Sequence, residues 1–222
     1  VVTGRAASAA LTILICCAGH AWGQSAPAAA PAPPAVQSPT ATPAWSFSAS
    51  AYTYFLPDEG NYAQPTFTAD HDALHLEARY NYEDLKTGSA WVGYNFEGGE
   101  TVAWELTSMI GGVFGQTNGI APGYKGSLSW RKLGLSSESE YVFDTGESSN
   151  SFLYNWSEAT FTPVEWIRGG LVVQRTRAYH TERDVQRGLL VGVTYGKLDV
   201  TTYVFNPDKS KPVVVLAVTV NW

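Results

Sequence analysis

Three histidines fall beyond the first forty residues, His71, His75 and His180, and they are the candidates for general-base chemistry. On a strand, a nucleophile sharing a face with such a base would stand two residues away. His75 is followed at that spacing by Glu77, His180 by Glu182 and His71 by Ala73. None has a serine there, so no base–nucleophile pair shares a strand face and no catalytic residue is assigned. What "HLEAR" does place on one face is His75, Glu77 and Arg79. Such a trio reads as a polar cluster that neutralises itself, or as a patch that meets a solute.

Metal and cofactor chemistry find no pattern. Asp58–Glu59 and Asp70–Asp72 are oxygen-rich but lack the spacing of a calcium loop. Both cysteines, Cys16 and Cys17, lie in the leader described next, so no thiolate site is expected. There is no P-loop and no dinucleotide fingerprint, and no cofactor is expected. With 14 Lys+Arg against 20 Asp+Glu, the chain gives no reason to expect nucleic acid as a partner.

The elements that position these side chains begin after two segments without a core. Residues 1–23 read as an export signal: Arg5, the apolar run 6–19, then Ala21 and Gly23 as small residues ahead of a cut before Gln24. That run is too short to span a bilayer as a helix. Residues 24–43, "QSAPAAAPAPPAVQSPTATP", read as a semi-extended Ala/Pro linker.

From Ala44 onward no helical period emerges. Alternation recurs instead, interrupted by Gly, Pro, Asp and Asn. In "WSFSASAYTYF", Trp45, Phe47, Ala49, Ala51 and Phe55 oppose the serines and two tyrosines. In "LHLEARYNY", Leu74, Leu76, Ala78, Tyr80 and Tyr82 oppose His75, Glu77, Arg79 and Asn81. The whole stretch parses into about twelve strands, with ten as the alternative. Tight connections ("DHDA", "EGGE", "LGLSS", "TPVE", "YGKL") alternate with longer polar ones, as on the two rims of a transmembrane barrel. In this parse Trp45, Trp166 and Trp222 fall at the short-turn rim, and Phe55, Tyr82, Tyr124, Tyr179 and Phe205 towards the other. Two aromatic belts suit two membrane interfaces.

The last strand, "VVVLAVTVNW", carries apolar residues at alternate positions, Val214, Leu216, Val218 and Val220, and stops at Trp222. It resembles the assembly signal of bacterial outer-membrane β-barrels, although the glycine usual in that strand is missing. The resemblance covers 44–222 as a class, porin-like but of no particular family. It implies a closed antiparallel transmembrane β-barrel in the outer membrane, with barrel-assembly machinery, membrane lipid and lipopolysaccharide as partners. Barrel phospholipases and deacylases of this class share a His-x-Ser strand motif, which this sequence lacks.

Within such a barrel the expected lumen cluster is His75, Glu77, Arg79, Glu105, Lys125, Arg131, Glu138, Glu140 and Arg168. Mixed signs there predict a weakly selective channel for small polar solutes, or a lumen plugged by salt bridges. Arg175, Arg177, Arg183 and Arg187 are expected at the outer rim, where they would meet lipopolysaccharide phosphates.

Overall fold

The structure, a computed structural model, describes residues 44–57, 60–146, 148–178 and 184–222. The expected leader 1–23 and linker 24–43 lie outside these residues, as do Asp58, Glu59, Tyr179, His180 and Arg183.

Alternation becomes twelve strands: β1 (Ser46–Phe55), β2 (Tyr62–His71), β3 (Leu74–Tyr80), β4 (Thr87–Gly98), β5 (Ala103–Gly115), β6 (Gly119–Trp130), β7 (Leu133–Asp144), β8 (Phe152–Val164), β9 (Ile167–Ala178), β10 (Asp184–Tyr195), β11 (Leu198–Phe205) and β12 (Val213–Asn221). Each is antiparallel to its chain neighbours, and β12 pairs with β1 to close the barrel. The seam runs from Phe55↔Val214 to Ser48↔Asn221. It is finished by reciprocal backbone bonds between Phe47 and Trp222, 3.0 and 2.9 Å long. Closure removes the edge that an uncharged terminal strand would otherwise expose.

Tight turns lie at one rim. β2–β3, β6–β7 and β10–β11 each turn through two residues, with positive φ at Asp72 (52°), Arg131 (55°) and Gly196 (59°). Primed hairpin turns require that backbone sign. The turn between β6 and β7 is Arg131–Lys132, not the expected "LGLSS", and β7 starts at Leu133.

Polarity is inverted relative to a soluble barrel. On β3, Leu74, Leu76 and Tyr80 face out and are exposed, while His75, Glu77 and Arg79 face in and are buried. The same outward apolar set continues around the wall through Val92, Ile110, Leu128, Leu135, Leu171 and Val191. An apolar girdle of this kind, interrupted on β7 and β8 by the hydrogen-bonded Ser137, Asn155 and Ser157, belongs against hydrocarbon. Val214, Leu216 and Val218 pair with outward residues of β1 and β11, and Val220 is exposed beside Leu198. Trp45, Trp166 and Trp222 all sit exposed at the short-turn rim. Trp222 stacks on Phe47 at 6.0 Å, and Trp45 does so at 6.1 Å. Trp130 joins this belt, with the Arg131 guanidinium 5.0 Å from its ring.

The outward set makes a stability prediction. Val92→Arg, near the middle of β4, should cost about 2–4 kcal/mol of folding in lipid. Thr66→Arg, on the inner face of β2, should cost far less. Urea unfolding of the two variants in vesicles, followed by tryptophan fluorescence, distinguishes the faces.

Candidate functional site: the lumen

Strand alternation sends one residue set from every strand inward, and two walls of different character result. One wall, from β2 to β7, is ionic. Glu77 Oε1 accepts from Arg79 Nε at 2.6 Å, and its Oε2 lies 3.0 Å from His75 Nε2 and 2.5 Å from Lys125 Nζ. His75 Nδ1 is 2.7 Å from Asp70 Oδ1, so both ring nitrogens face carboxylates. Only an imidazolium can donate to both. Arg79 also donates to Glu140 Oε2 at 2.6 Å and stands 3.7 Å from Glu83. Its guanidinium lies between the rings of Tyr82 (4.2 Å) and Trp91 (4.5 Å). Trp91 lies flat because Gly111 leaves it room: a Cβ there would meet the indole at 2.4 Å.

The other wall, from β8 to β12 and β1, is aromatic. Trp156 packs edge-on to Tyr52, Tyr203 and Phe205, and Tyr54 stacks on Tyr62 at 4.8 Å. Val172, Leu190 and Val215 back this cluster and are almost completely buried. Tyr82 and Phe205, expected in the outer aromatic belt, turn inward instead. Tyr124 faces outward, exposed, in mid-strand opposite Ser139.

Two water-accessible spaces remain. A chamber of about 550 Å³ opens towards the short-turn rim and is bounded by Ser50, Thr66, Glu105, Ser136, Asp199 and Thr219, among others. A vestibule of similar volume lies under the long loops, reaching Pro57, Asp84 and Lys211. Gln64, Tyr82 and Tyr154 border both spaces and mark the constriction between them. Tyr82 donates its hydroxyl to Glu138 and packs edge-on to Tyr154 at 5.5 Å.

Of the expected lumen cluster, His75, Glu77, Arg79, Lys125 and Glu140 meet in one network. Glu105 and Glu138 line the chamber. Arg168 does too, held by Asp199 through two bonds of 2.5 and 2.8 Å and by Thr201 at 2.6 Å. Arg131 does not belong to the lumen. Its positive φ places it in the turn itself, because β6 ends at Trp130 and β7 begins at Leu133, where alternation suggests one strand running through to Leu133. Of the expected rim arginines, Arg187 is exposed on the outer face of β10, opposite Val173. Arg175 shares that outer face of β9, opposite Asn155 and Val185, and Arg177 pairs with Leu153 two residues further on.

Sequence reasoning missed Glu83, Glu158 and Asp199, and weighed Asp70 only for calcium. Asp199 was visible in principle, since Leu198 and Val200 bracket it as outward residues. Glu158 was masked by Trp156 and Tyr154, inward aromatics that read as lipid-facing ones.

No family model matches the sequence, and no curated protein matches it. Solved structures do. The KdgM porin superposes with a TM-score of 0.58 at 10% sequence identity, over 78% of this chain and 98% of that one. The KdgM porin in complex with disordered oligogalacturonate gives the same values. A closed antiparallel barrel of twelve strands, apolar outside and polar within, this chain has the fold of an outer-membrane porin.

Proposed function

We propose that the chain is a narrow channel for small polar solutes in the bacterial outer membrane. The observation that carries this is the pair of water-accessible spaces, one at each rim, that meet at Gln64, Tyr82 and Tyr154. Among the described residues it is side chains, not a loop or helix, that border both spaces, and side-chain rotamers move on fast timescales. Mixed charge along the ionic wall fits modest selectivity. An enzymatic reading finds little support: both nitrogens of His75 face carboxylates, so this histidine is not free to act as a base. The test is single-channel recording of the folded chain in a planar bilayer. Discrete, reproducible conductance steps are expected. A barrel that inserts, shifts its migration on heating and yet stays silent overturns the reading.

The outer face offers a second contact, with lipid phosphate. Arg175 stands eight residues from the start of β9, about 20 Å up a tilted strand, close to the upper edge of the apolar band. Its Nε is buried without a partner among the described residues, and Arg187 lies exposed on the adjoining strand. Paired arginines at that height suit the phosphates of outer-leaflet lipopolysaccharide. Replacing both by alanine should lower the lipopolysaccharide retained by the purified barrel, measured as bound phosphate per chain, without changing heat-modifiable migration. The alternation ending at Trp222 suits recognition by the barrel-assembly machinery.

A further inference from the structure

The short-turn chamber carries an imbalance that the sequence did not show. Five carboxylates line it, Glu77, Glu105, Glu138, Glu158 and Asp199, against two cations, Lys125 and Arg168. Both cations are already spoken for. Lys125 sits 2.5 Å from Glu77, and Arg168 grips Asp199 through two nitrogens. That leaves Glu105, Glu138 and Glu158 without a cation at salt-bridge distance among the described residues. Glu97 adds a fourth carboxylate on the same inner face, directly opposite Glu105 in the β4–β5 register.

The three lining carboxylates are held by neutral donors. Glu158 Oε1 accepts from Trp156 Nε1 at 2.8 Å and from Tyr203 Oη at 2.9 Å. Glu138 accepts from the Tyr82 hydroxyl, and Ser127 approaches Glu105 at 3.5 Å. Neutral hydrogen bonds fix a carboxylate in place but leave its charge in the field of the cavity. The rings that present Glu158 belong to the aromatic wall, where Tyr52 lies 6.1 Å from both Trp156 and Tyr203. Fixed negative charge beside π-faces is the environment that an alkylammonium group satisfies best, through charge pairing and cation–π attraction together.

We infer that this chamber is a binding site for small organic cations, and that it biases the channel towards cations over anions. Glu138 and Glu158 meet the ammonium charge, and Tyr52, Trp156 and Tyr203 cover its carbon atoms. The inference rests on the channel reading for passage but not for binding. Polyanionic sugars of the oligogalacturonate kind, present in one KdgM structure, are disfavoured by the same charges.

Two measurements on the full-length folded chain test this. The first is the reversal potential across a potassium chloride gradient. A severalfold preference for potassium is expected, reduced towards unity in the Glu138→Gln/Glu158→Gln double variant. Glutamine keeps the acceptor oxygen for Tyr82, Trp156 and Tyr203, so the barrel should stay folded. The second is calorimetric titration with choline in detergent, with oligogalacturonate as the comparison. Saturable choline binding, lost in the double variant, is expected, with none for oligogalacturonate. A conducting barrel with no cation preference and no choline binding overturns the inference and leaves the channel standing. A silent barrel that still binds choline through these glutamates removes the channel and keeps the site. Choline binding that survives the double variant overturns the assignment of the site.

Discussion

Arg79→Ala should be the most damaging single substitution in the lumen, costing about 3–5 kcal/mol of stability. The guanidinium is buried, with 5% of its residue surface exposed, and it is the shared partner of Glu77 and Glu140. Glu83, also buried, stands 3.7 Å away. Removing the cation would leave three carboxylates packed together in a region with little water. One oxygen each of Glu83 and Glu140 already lacks a partner among the described residues. Lys125 reaches Glu77 but neither of the others among the bonds of this network. The ring faces of Tyr82 and Trp91 would lose their shared cation as well. Urea unfolding in lipid vesicles measures the loss. Adding Glu140→Gln to Arg79→Ala should recover a large part of it, because the defect is uncompensated charge rather than lost volume. Equal instability of single and double variants would mean that packing, not charge, is what Arg79 supplies.

The second large effect concerns passage. Tyr154→Ala should raise single-channel conductance severalfold over the unaltered chain. Tyr154 borders both water-accessible spaces, and Tyr82 leans edge-on against it from the opposite wall. Truncating it joins the two spaces directly. The side chain contributes no strand pairing, so the β7–β8 and β8–β9 ladders around it should persist. Tyr82→Phe makes the complementary test. It removes the hydroxyl held by Glu138 while keeping the ring, so it should loosen the constriction and raise open-state noise more than mean conductance. Unchanged conductance in Tyr154→Ala would place the narrowest point elsewhere along the lumen.

Much of the architecture is legible in the sequence. Side-chain period two assigned Leu74 and Leu76 to one face and His75, Glu77 and Arg79 to the other, and the barrel keeps that division. The even count of strands, the two kinds of connection and the uncharged terminal run foretold closure of β12 on β1. The tryptophans at the short-turn rim followed from the same parse. These features are local or nearly so: each follows from a few neighbouring residues and from the need to pair every backbone group in hydrocarbon.

The errors have local causes too. Arg131 looked like an inward strand residue because alternation through Leu128 and Trp130 runs up to it, and a turn residue with positive φ breaks no pattern of hydropathy. Tyr82 and Phe205 looked like belt residues because an aromatic ring suits either a membrane interface or a packed lumen. Period two separates the faces of a strand; it does not say which aromatic face meets lipid.

Which side chains meet across the barrel emerges only from the closed sheet. Arg79 and Glu140 are sixty-one residues apart, Tyr82 and Glu138 fifty-six, and Tyr203 and Glu158 forty-five. Strand order and register bring them together, and those follow from the cumulative stagger of twelve pairings rather than from any short stretch. Hence a closed transmembrane barrel and its rims can be read along the chain. The charge balance of the chamber, the aromatic wall beside it and the constriction above it arose only when the sheet closed.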